Sequence, residues 1–183
     1  DLLCKSYENT DKVITADRVK RSEGLFFKFC YLVHKYLTFI FTGQSIKFGN
    51  YSCLPKFAVN MMAQQASTWS SFSGSLAKTI KNRTSVSSIR GERYFGPSKM
   101  SFISLLKHSL SIMAVFKTTL LIRSIIFLII YLFLVIGKIS VITLIPVIAV
   151  IIMMFLVITL SKRENKSEFD KSLENINSID KIK

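Results

Sequence analysis

Two long apolar segments occupy the C-terminal part of the chain, at residues 118–137 and 139–160. The first carries a single charge, Arg123, and the second carries none. Each is long enough to cross the ~30 Å hydrocarbon core of a bilayer as a helix. Because only Gly137 and Lys138 lie at the turn, the pattern predicts a transmembrane hairpin whose two ends are on the same side of the membrane.

Ahead of the hairpin, residues 1–100 show short strand and helix patterns. The β-branched run from Lys12 to Ala16 predicts a buried strand, which ends in a charged turn at residues 17–21. Ser22 is the predicted N-cap of a helix over about residues 24–42. This helix is apolar nearly all round apart from two lysines, so it fits a core helix and a helix on the membrane surface equally well.

The next predicted elements are a short strand around residues 49–52 and a helix over residues 55–65. Residues 67–75 predict a loop that leads into a helix at residues 76–81. The stretch 82–99 is basic and rich in turn-forming residues.

An amphipathic helix is predicted over residues 101–117, at the membrane interface. Its apolar positions recur at helical spacing and its polar positions fall opposite them; these are Phe102, Leu105, Leu106, Leu110, Met113 and Phe116 against Ser104, Lys107, His108 and Ser111. The tail, residues 161–183, has six basic and five acidic residues and predicts a solvated extension.

Composition and charge narrow the class of protein. The 183 residues include 25 Lys and Arg against 11 Asp and Glu, which gives a net charge of +14, yet half of them are apolar. This composition excludes an intrinsically disordered chain, and the clustering of apolar residues argues against an ordinary soluble globule. Residues 1–123 carry 18 basic and 6 acidic residues, a net charge of +12. We expect an integral membrane protein whose polar part meets an anionic partner.

Basic residues also set the expected orientation. Lys138 alone lies in the turn of the hairpin, whereas several basic residues flank its two ends. The positive-inside rule then places both termini in the cytoplasm. The flanking residues are Lys107, Lys117, Arg123, Lys162, Arg163 and Lys166.

Cysteine and histidine give no sign of a metal or redox centre. Cys4, Cys30 and Cys53 are widely spaced and lack a C-x-x-C pattern, so we predict free thiols, with neither a disulfide nor a zinc site. His34 and His108 have no carboxylate at helical spacing and are predicted to be structural. The catalytic base stays unassigned.

Two basic clusters are candidate phosphate sites. In the first, Arg18 and Arg21 lie at a strand end that leads into the helix capped by Ser22, and guanidinium groups with free backbone amides match phosphate oxygens. Juxtamembrane arginines that hold acidic lipid are the equally weighted alternative. In the second, Arg93 and Lys99 flank a glycine that allows close approach of a ligand, and the alternative is a basic linker.

Three motifs occur in order along the chain: Arg18-x-x-Arg21-Ser22, Phe48-Gly49-Asn50-Tyr51-Ser52 and Arg93-x-x-Gly96-x-Ser98-Lys99. With an aromatic helix after the first and two apolar segments at the end, this order resembles the C-terminal half of the polyprenyl-phosphate glycosyltransferases. These are membrane-anchored family 2 enzymes with a GT-A domain, similar to dolichol-phosphate mannose synthase and the bactoprenol glucosyltransferases.

The resemblance implies transfer of a sugar from a nucleotide donor to a polyprenyl phosphate, assisted by Mg or Mn. Residues 1–100 would be the C-terminal part of the α/β GT-A domain. Gly49 and Asn50 would lie in an acceptor loop, where many relatives carry an acidic residue in place of Asn50. The acceptor phosphate would be held by Arg18, Arg21 and Ser22, and the phosphates of donor and acceptor would be covered by Arg93, Ser98 and Lys99.

The metal-binding D-x-D of that family is not in this chain. We expect it, with the nucleotide-binding strands, ahead of Asp1, so the chain alone is expected to be inactive and to hold no metal. The alternative is a non-enzymatic two-span membrane protein whose basic cytoplasmic region binds acidic lipid or a partner protein. Nucleic acid is not an expected partner, because the aromatic residues do not alternate with the basic ones. The sequence does not decide whether the chain forms a homo-oligomer.

Overall fold

A computed structural model describes residues 2–8, 10–20, 25–89 and 101–172. These residues form a mixed α/β structure that is mostly helical, with one three-stranded sheet. The expected α/β class is confirmed at this level, while the GT-A assignment stays a prediction. In chain order the elements are α1 (Leu2–Glu8), β1 (Val13–Lys20), α2 (Leu25–Thr42), β2 (Phe48–Cys53), α3 (Lys56–Ala63), α4 (Ser67–Ser70), α5 (Phe72–Thr79), β3 (Arg83–Ile89), α6 (Phe102–Ala114), α7 (Lys117–Val135), α8 (Val141–Ser161) and α9 (Lys166–Asp170).

The sheet has β1 at its centre, with β2 antiparallel on one side and β3 parallel on the other. The predicted strand is confirmed, but β1 continues to Lys20 through residues 17–20, which were predicted as a turn. Its backbone is paired with β3 along this stretch, and those ladder hydrogen bonds favour an extended chain over a turn.

Strand β3 lies within the basic stretch that was predicted to be rich in turns. Its sequence has two pairs of small hydroxyl residues, each followed by an apolar one, Val86 or Ile89. It pairs with β1 from Val13↔Arg83 to Lys20↔Ile89. The turn-rich prediction was therefore wrong for residues 83–89. The strand could not be recognised from its own sequence, because its parallel partner β1 lies far away along the chain.

A small core fills the space between the sheet and the short helices. Val13 packs with Ala58 and Met62 of α3 and with Leu76 and Ile80 at α5. The predicted loop at residues 67–75 instead forms α4 and the start of α5. Ser71 is the N-cap of α5, because its hydroxyl accepts a hydrogen bond from the backbone N–H of Gly74 at 3.2 Å.

Helix α6 matches the predicted amphipathic helix in its bounds but not in its faces. Ser111, predicted on the polar face, is buried, and its carbonyl accepts a hydrogen bond from Ser70 at 3.3 Å. The reason is that the C-terminal half of α6 is enclosed by α5 and by α8, whose Val150 and Val157 pack near Met113.

Helices α7 and α8 are long and apolar enough to cross a membrane. They contact each other as an antiparallel pair, and the connection runs from Ile136 to Ser140, slightly longer than predicted. The Tyr131 hydroxyl donates a hydrogen bond to the carbonyl of Thr143 at 2.9 Å across this connection. Most of their large side chains stay exposed, as expected for surfaces that face lipid.

The first part of the tail is folded back and is not an open extension. Helix α9 places Phe169 edge-on against Trp69, with ring centroids 5.2 Å apart. No residue of α9 is buried, so the solvated tail stays a prediction, and residues 173–183 lie outside the described part. The three cysteines are free, as predicted.

Candidate functional site

The candidate site begins at the carboxyl edge of the parallel pair β1 and β3. Lys20 pairs with Ile89 at this edge, and Arg18 pairs with Ser88. The chain leaves β1 into residues 21–24 and leaves β3 into residues 90–100. The two basic motifs therefore start from neighbouring strand ends, at the kind of edge where open α/β sheets bind their ligands.

The predicted site residues are only partly described. Arg18 lies in strand β1, where the structure describes its backbone. The predicted residues that lie outside the described part are Arg21, Ser22, Arg93, Ser98 and Lys99. The structure thus brings together the strand ends that precede them.

Gly49 and Asn50 lie in strand β2 and not in a loop. The register between β2 and β1 shifts between Thr15 and Asp17, opposite these two residues. Asn50 is exposed and Gly49 is half-buried. The short strand predicted around residues 49–52 is confirmed, and the acceptor-binding role of Gly49 and Asn50 stays a prediction.

Arg83 is the residue whose role sequence reasoning missed. Its guanidinium Nη1 donates hydrogen bonds to the carbonyls of Leu76, Ala77 and Ile80, at 3.3 Å and 3.1 Å for the first two. The guanidinium also lies 5.6 Å from the ring centroid of Phe48. Arg83 therefore caps the C-terminal end of α5 and ties it to β2.

Burial lowers the pKa of the Arg83 guanidinium, and the nearby Asp17 carboxylate opposes that shift. Asp17, Lys47 and Arg83 line a cavity of about 460 Å³ on the sheet, together with hydroxyl groups such as that of Thr15. Its charges are of both signs, so it offers no concentrated positive field to an anion.

Helix α2 is joined to the beginning of the apolar pair through Arg123. The Arg123 guanidinium donates a hydrogen bond to the carbonyl of Ile40 at 3.0 Å, at the C-terminal end of α2 where carbonyl groups lack helical partners. Gly43 follows with φ +72°, and a Cβ there would lie 3.0 Å from this guanidinium. Phe41 and Phe127 meet edge to face, with centroids 5.9 Å apart.

The remaining surface of α2 bears on the two interpretations that the sequence left open. Thr38, Phe41 and Thr42 are buried, whereas Phe29 and Tyr36 are more than half exposed. The helix is thus a core helix on one side only. Its other side presents exposed aromatic residues, which fits the membrane-surface interpretation.

Histidine and metal chemistry add nothing to this site. His34 Nδ1 lies 3.2 Å from the hydroxyl of Thr38, one turn along α2. In the described part of the chain, no three His, Cys, Asp or Glu side chains come together. The Mg or Mn that the resemblance implies stays a prediction. In comparisons with known proteins, no family model, no curated protein and no solved structure matches the chain.

Proposed function

We propose that the chain is part of a membrane glycosyltransferase that transfers a sugar from a nucleotide-sugar donor to a polyprenyl phosphate or a related lipid-linked acceptor. One structural observation supports this proposal most directly. Arg18 lies in β1 near its carboxyl end, and the segments that contain Arg21 and Arg93 follow the paired ends of β1 and β3 in the chain. A single phosphate could therefore be approached by basic residues from both segments.

The apolar helices support the lipid part of the proposal. A polyprenyl phosphate has an apolar chain in the bilayer and a phosphate at its surface. Helices α7 and α8 are suited to cross that bilayer, and α2 connects the sheet to α7 through Arg123 and Phe127. The protein would hold the sheet next to the membrane surface, at the level of the acceptor phosphate.

In this proposal the basic residues act by positioning and neutralising phosphate groups. An oxygen of the acceptor phosphate attacks the anomeric carbon of the sugar, and a nucleoside diphosphate leaves. Arg18, Arg21 and Ser22 orient the acceptor, while Arg93 and Lys99 stabilise negative charge that develops on the departing group. The base and the metal ligands are not assigned to residues of this chain.

Arg93→Ala tests the proposal in the complete protein, measured as sugar transfer in reconstituted bilayers. We expect a loss of roughly 2–4 kcal/mol of transition-state stabilisation, because one preorganised charged donor is removed. Arg93→Lys should recover part of the rate, since lysine keeps the charge but lacks the planar fork of donors.

Arg163→Ala is the matched control for the loss of one positive charge, because Arg163 is exposed just after α8. Arg83 is unsuitable as that control, since it caps α5.

The second candidate function, a non-enzymatic protein that binds acidic lipid, is favoured by the net charge of +12 in residues 1–123. Under that function both alanine variants would lose membrane attraction alike, by about 1 kcal/mol each. Equal transfer rates for the two variants would contradict the glycosyltransferase proposal.

A further inference from the structure

A cavity of about 480 Å³ opens where α7 begins, at the other end of the sheet from the basic motifs. Arg83 at its wall pairs with Val13, whereas the motifs follow the pair Lys20 and Ile89. Seven residues of strand separate the two ends, which is roughly 23 Å. The cavity therefore lies at the opposite strand end from Lys20 and Ile89. Its lining residues are Gln44, Ala77, Lys78, Lys81, Arg83, Val115, Phe116, Thr118 and Thr119.

The charged side chains that line this cavity are all positive. Lys78 is held in place because its ammonium donates a hydrogen bond to the carbonyl of Val115 at 3.0 Å. Arg83 is held by the carbonyls of α5. Lys81 is exposed beside them. Two cations in fixed positions and a third at the opening form a preorganised site for an anion.

Two carboxylates lie close enough to act on these cations, but neither lines the cavity. Glu164 interacts with Lys78, and Asp17 interacts with Arg83. They offset part of the charge of Lys78 and Arg83, while Lys81 adds a third positive charge at the opening. The site thus stays positive after its neighbours are counted.

The polar groups of the wall match the oxygens of a phosphate group. Thr118 and Thr119 bring two hydroxyl donors from the first turn of α7, and Gln44 brings an amide. Phe116, the N-cap of α7, has no side-chain acceptor for the backbone N–H groups of that turn. Ammonium, guanidinium, hydroxyl and amide donors together suit an acceptor that carries several oxygens.

We propose that this cavity binds the phosphate group of an anionic phospholipid or of a soluble phosphate ester, independently of sugar transfer. Its place at the first turn of α7 puts it where an apolar helix of membrane-crossing length meets the polar part of the chain. A lipid phosphate bound there would hold the helical and sheet parts together at the membrane surface.

The test measures thermal stability of the full chain in a mild non-ionic detergent, with three probes. Phosphatidylglycerol is the lipid source, glycerol 3-phosphate is the soluble source, and diacylglycerol with the same acyl chains lacks phosphate. A ligand that binds the folded state raises the melting temperature in proportion to its affinity. We expect phosphatidylglycerol to stabilise the chain and diacylglycerol to have no effect.

Lys81→Ala should weaken phosphatidylglycerol binding by about fivefold, the expected effect of removing one basic residue near an anionic lipid. Thr119→Val should weaken binding as well, since it removes a hydroxyl donor and keeps the shape. Lys56→Ala is the control, because Lys56 is an exposed lysine of α3 that does not line the cavity.

Stabilisation by glycerol 3-phosphate that is lost in Lys81→Ala would support the site and assign it to the soluble source. Stabilisation by phosphatidylglycerol alone, with the same loss, would support it and assign it to lipid. The proposal is overturned if neither phosphate compound stabilises the chain. It is also overturned if Lys81→Ala and Lys56→Ala bind phosphatidylglycerol equally. Neither result depends on glycosyltransferase activity.

Discussion

Arg83 makes the largest single contribution to local structure among the basic residues described above. Its guanidinium satisfies carbonyls at the end of α5 and contacts the ring of Phe48. Arg83→Ala would leave those carbonyls without their donor, and we expect it to lower the free energy of unfolding by about 2–3 kcal/mol. Thermal unfolding of the full chain in detergent, followed by circular dichroism, measures this loss.

A lysine at this position keeps one donor and the charge, so Arg83→Lys should recover part of the stability. Arg163→Ala is the control here too, since surface substitutions of this kind usually change stability by less than ~0.5 kcal/mol. If Arg83→Ala were no less stable than Arg163→Ala, the guanidinium would not be capping α5.

Glu164 is a partly buried carboxylate whose ionisation affects the stability of the fold. Its carboxylate Oε1 is buried and has no hydrogen-bond partner among the described residues. Burial raises the pKa of Glu164, and Lys117 and Lys78 oppose the shift. Because the folded-state pKa lies above the unfolded value of about 4.3, the ionised carboxylate costs stability. That cost is absent at pH below the unfolded pKa and develops as pH rises through the folded-state pKa.

Glu164→Gln should therefore stabilise the chain at neutral pH, by less than about 1 kcal/mol because water screens a half-exposed group. The difference between variant and wild type should vanish below about pH 4, where both side chains are neutral. Unfolding curves collected between pH 4 and pH 8, a range chosen around that ordinary pKa, test the sign. A variant less stable than wild type at neutral pH would mean that the attraction to Lys78 and Lys117 outweighs the burial.

Arg18 and Arg83 differ in how much of their structural role could be predicted from the sequence. Arg18 could be placed at the end of a strand because a β-branched run precedes it. Arg83 could not be given its role, because the groups it contacts belong to α5 and to Phe48, and no local pattern marks them. A residue's contacts with distant parts of the chain depend on the fold, and the sequence next to that residue does not show them.

At the scale of elements, the predictions succeeded where one strong pattern extends over many residues. Helices α2, α7 and α8 lie within a few residues of their predicted bounds, since each is long and apolar. They failed at β3, whose hydroxyl-rich sequence becomes a strand only through its pairing with β1. They also failed at α4 and α5, where six serines and threonines between residues 67 and 75 suggested a loop.

Helix faces were harder to predict than helix bounds. The spacing in α6 predicted an apolar face opposite a polar one, but its last turns are enclosed on several sides, so that Ser109 and Ser111 are buried. Similarly, the order of the basic motifs was evident from the sequence. That they follow adjacent strand ends could not be seen before the parallel pairing of β1 and β3 was known.

For the whole molecule, the orientation of the apolar hairpin is the outstanding prediction. Basic residues flank its ends and outnumber Lys138 in the turn, so we expect Lys99 and Lys162 in the cytoplasm and Lys138 on the opposite side. The measurement is accessibility of a single cysteine introduced at each of the three positions. The natural cysteines, which are free, must first be replaced by serine.

A membrane-impermeant thiol reagent applied from outside intact cells should label position 138 and leave positions 99 and 162 unlabelled. Labelling in inverted vesicles should show the reverse. If position 138 is labelled from the cytoplasmic side, the orientation is wrong, although the hairpin itself would stand.

The hydrogen bond from Arg123 to Ile40 also has a consequence for biosynthesis. The two residues are 83 positions apart, so at 5–20 residues per second the ribosome needs about 4–17 s between them. Throughout that interval Phe41 lacks its contact with Phe127, and the arginine that satisfies the carbonyl of Ile40 has not yet been made. A nascent chain in this state is prone to aggregate, which favours early adsorption of α2 to the membrane or capture by a chaperone before α7 is complete.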